Sequence, residues 1–384
     1  MLVAIAIKIE VVAVSRLNRR LLAAATTIMV AILSFAIAPG TAHAADTGAI
    51  TVDGTVATRY DAYQLFSATV VDDAGQKIAT DVTWANDTVR QTALSVLHDA
   101  GLDSSTSTAQ EAAEWMNADG HMTTALTAKL ARAIVKAGAV SVALNAGTTA
   151  ELPCGYWLIV ADDDAIAQGE AGTAPIMALV GGSAVAVKPK AATPKVAKHV
   201  LEDSTAAWQK AADATVGDDL YWRLSATVPA GLTAYDTYTV RFVDTMSAGL
   251  DPSKAAASMR VYVAAGADGG FDAVTCEGGN ANSTLAKGWT DITSQCRVSV
   301  EGNAFTVRTG DLVAALGGAD AFAAGARVVA VYNAPLGANC NRGATKGNPN
   351  EVYLLYPRSP TSPGPPASPA RRAMTRAPIP GDSV

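Results

Sequence analysis

Leu220-Tyr221-Trp222-Arg223-Leu224-Ser225-Ala226-Thr227-Val228 is rich in aromatic and β-branched residues and stops at Pro229-Ala230-Gly231. A run of this composition, closed by Pro and Gly, reads as a strand ended by a turn. Tyr238 to Asp244 follows in the same style, and further candidates run from Met259 to Val263, Phe305 to Arg308, Val328 to Tyr332 and Val352 to Tyr356. Many short strands separated by turn signals make a β-sandwich.

Upstream, the Lys/Ala/Pro stretch from Val187 to Lys195 shifts the composition, and Pro189 and Pro194 discourage continuous secondary structure. It divides an N-terminal domain (residues 45–187) from the sandwich (residues 188–356). In the N-terminal domain, residues 49–71 read as two strands around a turn at Asp53-Gly54. Apolar residues then recur at helical spacing from Asp87 to Leu97 and from Ala109 to Lys136, with Met122, Leu126, Leu130 and Ile134 four apart. Strands resume at Val140–Leu144, Tyr156–Val160 and Pro175–Val180. The expected class is mainly β: two immunoglobulin-like sandwiches in tandem, the first with an inserted pair of helices.

The two ends differ from this body. Arg16, Arg19 and Arg20 precede an apolar run from Leu21 to about Ala38, and Pro39-Gly40-Thr41-Ala42-His43-Ala44 ends in Ala-x-Ala. That order is a secretory signal, with cleavage expected after Ala44; an uncleaved membrane anchor is the alternative. Lys8 and Glu10 fit no signal, which suggests that translation starts near Val14. After Tyr356 a Pro/Ser/Arg-rich tail (residues 357–384) has no apolar periodicity and is expected to be disordered.

Charged residues make up 17% of the chain and the net charge is −6. This leaves no electrostatic footprint for nucleic acid. Four cysteines, Cys154, Cys276, Cys296 and Cys340, would be exported to an oxidising compartment. They allow three connectivities; Cys276 and Cys296 flank a Gly/Asn-rich loop and are the favoured pair. No C-x-x-C spacing occurs and the histidines are scattered, so neither a metal site nor a cofactor is expected.

Strand alternation directs attention to three polar residues. Lys198 is in phase with Val196 and Val200. Asp244 is in phase with Tyr238, Val240 and Phe242. Asn350 is in phase with Val352, Leu354 and Tyr356. All three could face one core. Burial there would favour a neutral amine, a nucleophile, and a protonated carboxyl able to polarise an amide carbonyl. Such a set could join Lys198 to Asn350 as an isopeptide and expel ammonia. The alternative is that Lys198 reaches the rim, Asp244 ends its strand in a turn, and Asn350 sits in a Gly-Asn-Pro-Asn loop.

Five segments resemble the subunits of Gram-positive sortase-assembled pili. Pro194-Lys195-Val196-Ala197-Lys198-His199-Val200 resembles the opening strand of their isopeptide-forming domain. Val243-Asp244-Thr245-Met246-Ser247-Ala248-Gly249-Leu250 resembles a later segment, and Gly347-Asn348-Pro349-Asn350-Glu351-Val352-Tyr353-Leu354 the closing strand. Tyr60-Asp61-Ala62-Tyr63-Gln64-Leu65-Phe66 and Leu152-Pro153-Cys154-Gly155-Tyr156-Trp157 resemble parts of their N-terminal domain. The resemblance implies a Lys198–Asn350 bond promoted by Asp244, with Asn348 as the rival acceptor. It also implies a linking lysine between the domains. Val185-Ala186-Val187-Lys188-Pro189-Lys190 departs from the family's motif by a lysine in place of tyrosine, and Lys190 is the matching position. The family's C-terminal sorting signal is not found, and a frameshift near Tyr356 would explain both its loss and the change of composition.

The implied function is structural. The chain would be a secreted, non-enzymatic subunit of a cell-wall pilus, with other pilin subunits and a pilin-type sortase as partners. A surface adhesin for host glycan or matrix protein is the alternative. A secreted hydrolase finds no support, since neither G-x-S-x-G nor H-E-x-x-H occurs.

Overall fold

The computed structural model describes residues 46–361, except Thr55, Ala74, Gln168, Ala191, Ala192, Gly269 and residues 272–287 and 342–346, together with a strand at 370–375. The expected signal, its cleavage site and Cys276 lie outside the described residues.

The N-terminal domain holds strands β1 (Thr47–Val52), β2 (Arg59–Asp73) and β3 (Gln76–Trp84). Helices α1 (Asp87–Asp99), α2 (Ala109–Asn117) and α3 (Thr124–Lys136) come next. Strands β4 (Val142–Asn145), β5 (Thr149–Pro153), β6 (Gly155–Ala161), β7 (Ile176–Val180) and β8 (Val185–Val187) complete it. One sheet has the order β5-β1-β8; the other runs β3-β2-β6-β7, with β4 also on β2. Strand β6 is buried along its whole length because both of its faces are covered. Tyr156, Leu158 and Val160 pack with the helices, whereas Trp157 and Ile159 pack with Ile50, Val52 and Val180 between the sheets. Gly155 starts β6 at φ +141°, and a Cβ there would lie 2.0 Å from the Phe66 carbonyl oxygen, so the Cys-Gly-Tyr-Trp segment requires glycine at this point.

Three helices stand where a pair is expected. The apolar spacing through residues 109–136 is interrupted at Gly120, whose φ is +83°, and Thr123 begins α3 by accepting the Leu126 amide at 3.1 Å. Leu130 and Ile134 are fully buried on α3, while Met122 lies in the preceding turn.

The second domain is an antiparallel two-sheet sandwich. It contains β9 (Lys195–Glu202), β10 (Ala207–Gln209), β11 (Tyr221–Val228), β12 (Arg241–Met246), α4 (Pro252–Ser258) and β13 (Arg260–Ala265). Strands β14 (Trp289–Asp291), β15 (Arg297–Glu301), β16 (Ala304–Arg308), β17 (Ala326–Asn333) and β18 (Asn350–Leu355) follow. The sheets are β10-β9-β11-β17-β13-β14 and β15-β16-β12-β18. Trp222, Leu224, Phe242, Phe305, Val328, Val352 and Leu354 fill the space between them. Each such side chain contributes roughly 1.5–3 kcal/mol relative to exposure.

Two described stretches of the tail are ordered where disorder was expected. Residues Ala370–Thr375 form strand β19, antiparallel to β18. The segment just after β18 is tied to the N-terminal domain. The Tyr356 hydroxyl donates to Gly169 O at 2.9 Å and Arg358 to Ile166 O at 2.6 Å, and Arg132 donates to both Ala234 O and Pro360 O at 2.9 Å. These bonds pair several polar groups of the segment with protein partners.

Candidate functional site: a buried Lys–Asp–Tyr–Asn cluster

Cross-strand register fixes which way the three polar residues face. On β9, Lys198 is opposite Leu224 and Val200 opposite Trp222, so Lys198 shares the inward face of that sheet. On β12, Asp244 is opposite Val352 and Phe305; on β18, Asn350 is opposite Met246. Lys198 is 1% exposed and Asp244 and Asn350 are each 0% exposed, so the alternative with the lysine at the rim and the asparagine in a loop is not the arrangement adopted. Lys198 comes from one sheet, and Asp244 and Asn350 from the other, so all three meet across the sandwich core.

A fourth residue joins them. Tyr332, on β17 and fully buried, is the neighbour of Trp222 across the β11–β17 pair. Its hydroxyl donates to Asp244 Oδ2 at 3.1 Å and accepts from Asn350 Nδ2 at 2.9 Å. Lys198 Nζ donates to the same Asp244 Oδ2. The ammonium also lies 5.1 Å from the centre of the Trp222 ring and 5.7 Å from that of Tyr332. The aromatic faces attract a cation while excluding water. Phe305 packs edge-on to Tyr332 with ring centres 4.9 Å apart, which fixes the phenol in place.

Burial dominates the electrostatics. Removal from water lowers the Lys198 pKa to about 8, against the opposing pull of Asp244. The same cause raises the Asp244 carboxyl, against Lys198 and Tyr332, and raises the Tyr332 phenol well above its ordinary value. A proton passed from the amine to Oδ2 turns a desolvated ion pair into a neutral pair, which lifts the cost of burying two charges.

Two oxygens remain without hydrogen-bond partners: Asp244 Oδ1 and Asn350 Oδ1. Each such buried acceptor costs on the order of 1–3 kcal/mol. Protonation of Asp244 would turn one of the buried acceptor oxygens of the cluster into a donor. The cluster thus contains an amine whose proton is loosened by burial, an amide carbon, and a carboxyl group biased by burial toward its acid form.

The other candidates lie elsewhere. Asn348 is buried, but its Oδ1 accepts the Asn341 amide at 2.8 Å and its Nδ2 donates to Asn341 O at 3.1 Å. It clasps its own loop, and a Cβ on Gly249 would press to within 2.7 Å of its Oδ1, so the glycine of the Ser-Ala-Gly-Leu segment makes room for that clasp. Lys190 is exposed in the extended segment after β8, apart from the cluster. Cys154 is buried, and Cys296 donates from Sγ to Ile292 O at 3.3 Å; the expected partner of Cys296 lies outside the described residues. No group of His, Cys, Asp and Glu suited to a metal occurs among the described residues. Nor is any described helix long and apolar enough to cross a membrane.

Neither a protein-family model nor a curated protein sequence matches the chain. Solved structures that resemble it include pilins, at identities that show likeness of fold alone. The T6 backbone pilin of Streptococcus pyogenes serotype M6, a modular three-domain protein, aligns over 86% of this chain and 61% of its own at 13% identity and a TM-score of 0.48. The major pilin SpaD of Corynebacterium diphtheriae aligns over 85% of this chain and 63% of its own, at 15% identity and a TM-score of 0.39. The RrgB pilus protein of Streptococcus pneumoniae aligns over 82% of this chain and 49% of its own, at 15% identity and a TM-score of 0.37. The chain spans less than two thirds of the length of these three proteins.

Proposed function

We propose that this chain is a non-enzymatic, structural subunit of a covalent cell-surface pilus, and that its second domain closes a Lys198–Asn350 isopeptide bond promoted by Asp244. One observation carries the reading: a lysine, an aspartate and an asparagine from three strands converge, fully buried, in a hydrophobic core. Lysine and aspartate are rarely fully buried unless paired, and even a paired burial carries a desolvation cost. Here the desolvation is itself useful, because it favours the neutral forms that amide exchange needs.

In the reaction, Lys198 Nζ attacks Asn350 Cγ, the Nζ–Cγ bond forms, and the Cγ–Nδ2 bond breaks with loss of ammonia. This is one turnover within one chain. The bond would tie the two sheets together through the core. On this reading the chain is secreted and displayed on the cell wall, and Lys190, exposed between the domains, is the nucleophile that a pilin-type sortase uses to join it to other pilin subunits.

Intact-mass measurement of the purified chain tests the bond. The expected mass is that of the sequence less one ammonia, after allowing for disulfides. A chain with the full unmodified mass has no bond, and the proposed chemistry then fails.

A further inference from the structure

We infer that the Tyr332 hydroxyl is a catalytic proton relay, carrying a proton from Asp244 to the nitrogen that leaves Asn350. The inference rests on the isopeptide reading above and adds a residue and a step to it.

The geometry is a connected line. Lys198 Nζ and the Tyr332 hydroxyl both donate to the same oxygen, Asp244 Oδ2, and Asn350 Nδ2 donates to the Tyr332 oxygen at 2.9 Å. A proton surrendered by Lys198 therefore arrives on the one carboxylate oxygen that the phenol already contacts. The next heavy atom beyond the phenol is the leaving nitrogen.

Amide exchange needs this connection. An amide nitrogen leaves as ammonia only after it gains a proton, and the four groups are sealed from water. The steps balance as follows. Lys198 passes a proton to Asp244 Oδ2 and its freed electron pair attacks Asn350 Cγ, pushing the carbonyl pair onto Oδ1. The former amide nitrogen is now tetrahedral with a lone pair, so the hydrogen bond to Tyr332 can reverse. Asp244 Oδ2–H gives its proton to the phenol oxygen as the phenol gives its own to Nδ2. The Cγ–Nδ2 bond breaks, the carbonyl re-forms and ammonia departs. The new amide nitrogen then sheds its surplus proton to Asp244, which ends protonated. The phenol is unchanged overall, as a relay must be.

Packing supports the role. Tyr332 is held between Trp222, stacked at 6.5 Å, and Phe305, edge-on at 4.9 Å. A ring clamped on both sides keeps its hydroxyl on the line between Oδ2 and Nδ2 without help from solvent.

The test follows bond formation in the full chain during cell-free synthesis. Samples are quenched in acid at intervals, and the fraction that has lost ammonia is read by intact mass. Tyr332→Phe keeps the ring and deletes the relay, and is expected to slow the loss by about 100-fold or more, the range for a positioned acid–base group. Phe305→Leu loosens the clamp and leaves the hydroxyl, and should stay within about threefold of the parent, since it removes no proton-transfer group. To exclude misfolding, both substitutions are also compared by urea unfolding in the Asp244→Ala background, where no bond is expected. Parent and Tyr332→Phe chains that lose ammonia at equal rates overturn the relay while leaving the isopeptide reading intact. Equal slowing by Tyr332→Phe and Phe305→Leu also overturns it, because packing alone would then account for the effect. A parent chain that never loses ammonia overturns the isopeptide reading itself, and the relay with it.

Discussion

Asp244 and Asn350 are diagonal neighbours on the inward face of one sheet: Asp244 is opposite Val352, and Asn350 is opposite Met246, two positions along. The acid and the electrophile are thus set by backbone pairing, before any side chain chooses a rotamer. Lys198 is the part delivered by the other sheet, so its meeting with Asn350 requires the sandwich to close. Bond formation is therefore expected to report completed folding of the second domain.

Asp244→Ala should leave both reactive groups present and unjoined. The expected mass is that of the full sequence, and the lysine is then buried without its partner. Loss of one member of a buried pair costs on the order of 3–5 kcal/mol. Intact mass and urea unfolding of the same sample check both statements, and a variant that still loses ammonia would remove Asp244 from the chemistry.

Lys198→Ala and Asn350→Ala should each abolish the bond. The bond would close a loop from residue 198 to residue 350, and by analogy with disulfides its loss is expected to cost roughly 4–5 kcal/mol if chain entropy dominates. Chemical denaturation of the purified variants against the parent measures it. A parent no more stable than Asn350→Ala would contradict the estimate.

Asn348→Ala should retain the bond, because Asn348 is committed to Asn341 and not to Lys198. Stability should fall by about 0.5–1.5 kcal/mol, the net worth of a hydrogen bond to an exposed partner such as Asn341. A variant of full unmodified mass would make Asn348 the acceptor.

Before the bond forms, Lys198 should make stability depend on pH. In the Asn350→Ala chain the amine stays unacylated, with a folded pKa of about 8 against 10.5 in the unfolded chain. Below about pH 8 both states carry the proton. Between there and 10.5 the unfolded state binds more protons than the folded state, so this term raises stability with rising pH. The full effect would be about 3 kcal/mol. The measurement is the difference in unfolding free energy between Asn350→Ala and Asn350→Ala/Lys198→Met from pH 7 to about 9.5, a window set below the ordinary tyrosine range. A flat difference would show that the amine is not desolvated as described.

On the proposed reading, Lys190→Ala should stop covalent multimer formation when a fusion of the chain to a sorting signal is incubated with a pilin-type sortase. Gel electrophoresis under denaturing conditions reads the ladder. A complete ladder from the variant would move the linkage to another lysine.

The inward faces of β9, β12 and β18 were legible in the sequence because strands have a period of two, so Lys198, Asp244 and Asn350 could be assigned by counting from Val200, Phe242 and Val352. Tyr332 was not. It sits in Val328-Val329-Ala330-Val331-Tyr332, where a tyrosine looks like one more core residue, and its role depends on contacts with strands of both sheets. Helix α4 carries a local sequence signal: Asp251 precedes Pro252 and accepts the Ser253 amide at 2.8 Å, a cap followed by proline in the first turn. Strand β19 had no such signal, since its pairing is supplied by the exposed edge of β18 and not by its own composition.

The short seam after β18 has a mechanical meaning. Tyr356 and Arg358 grip the carbonyls of Gly169 and Ile166, and the Gly172 amide grips Arg358 O at 2.5 Å in return. The chain leaving the second domain is thereby lashed to the first. Bending at the connector between the domains would have to shear these bonds together, so the two domains should resist flexing against each other.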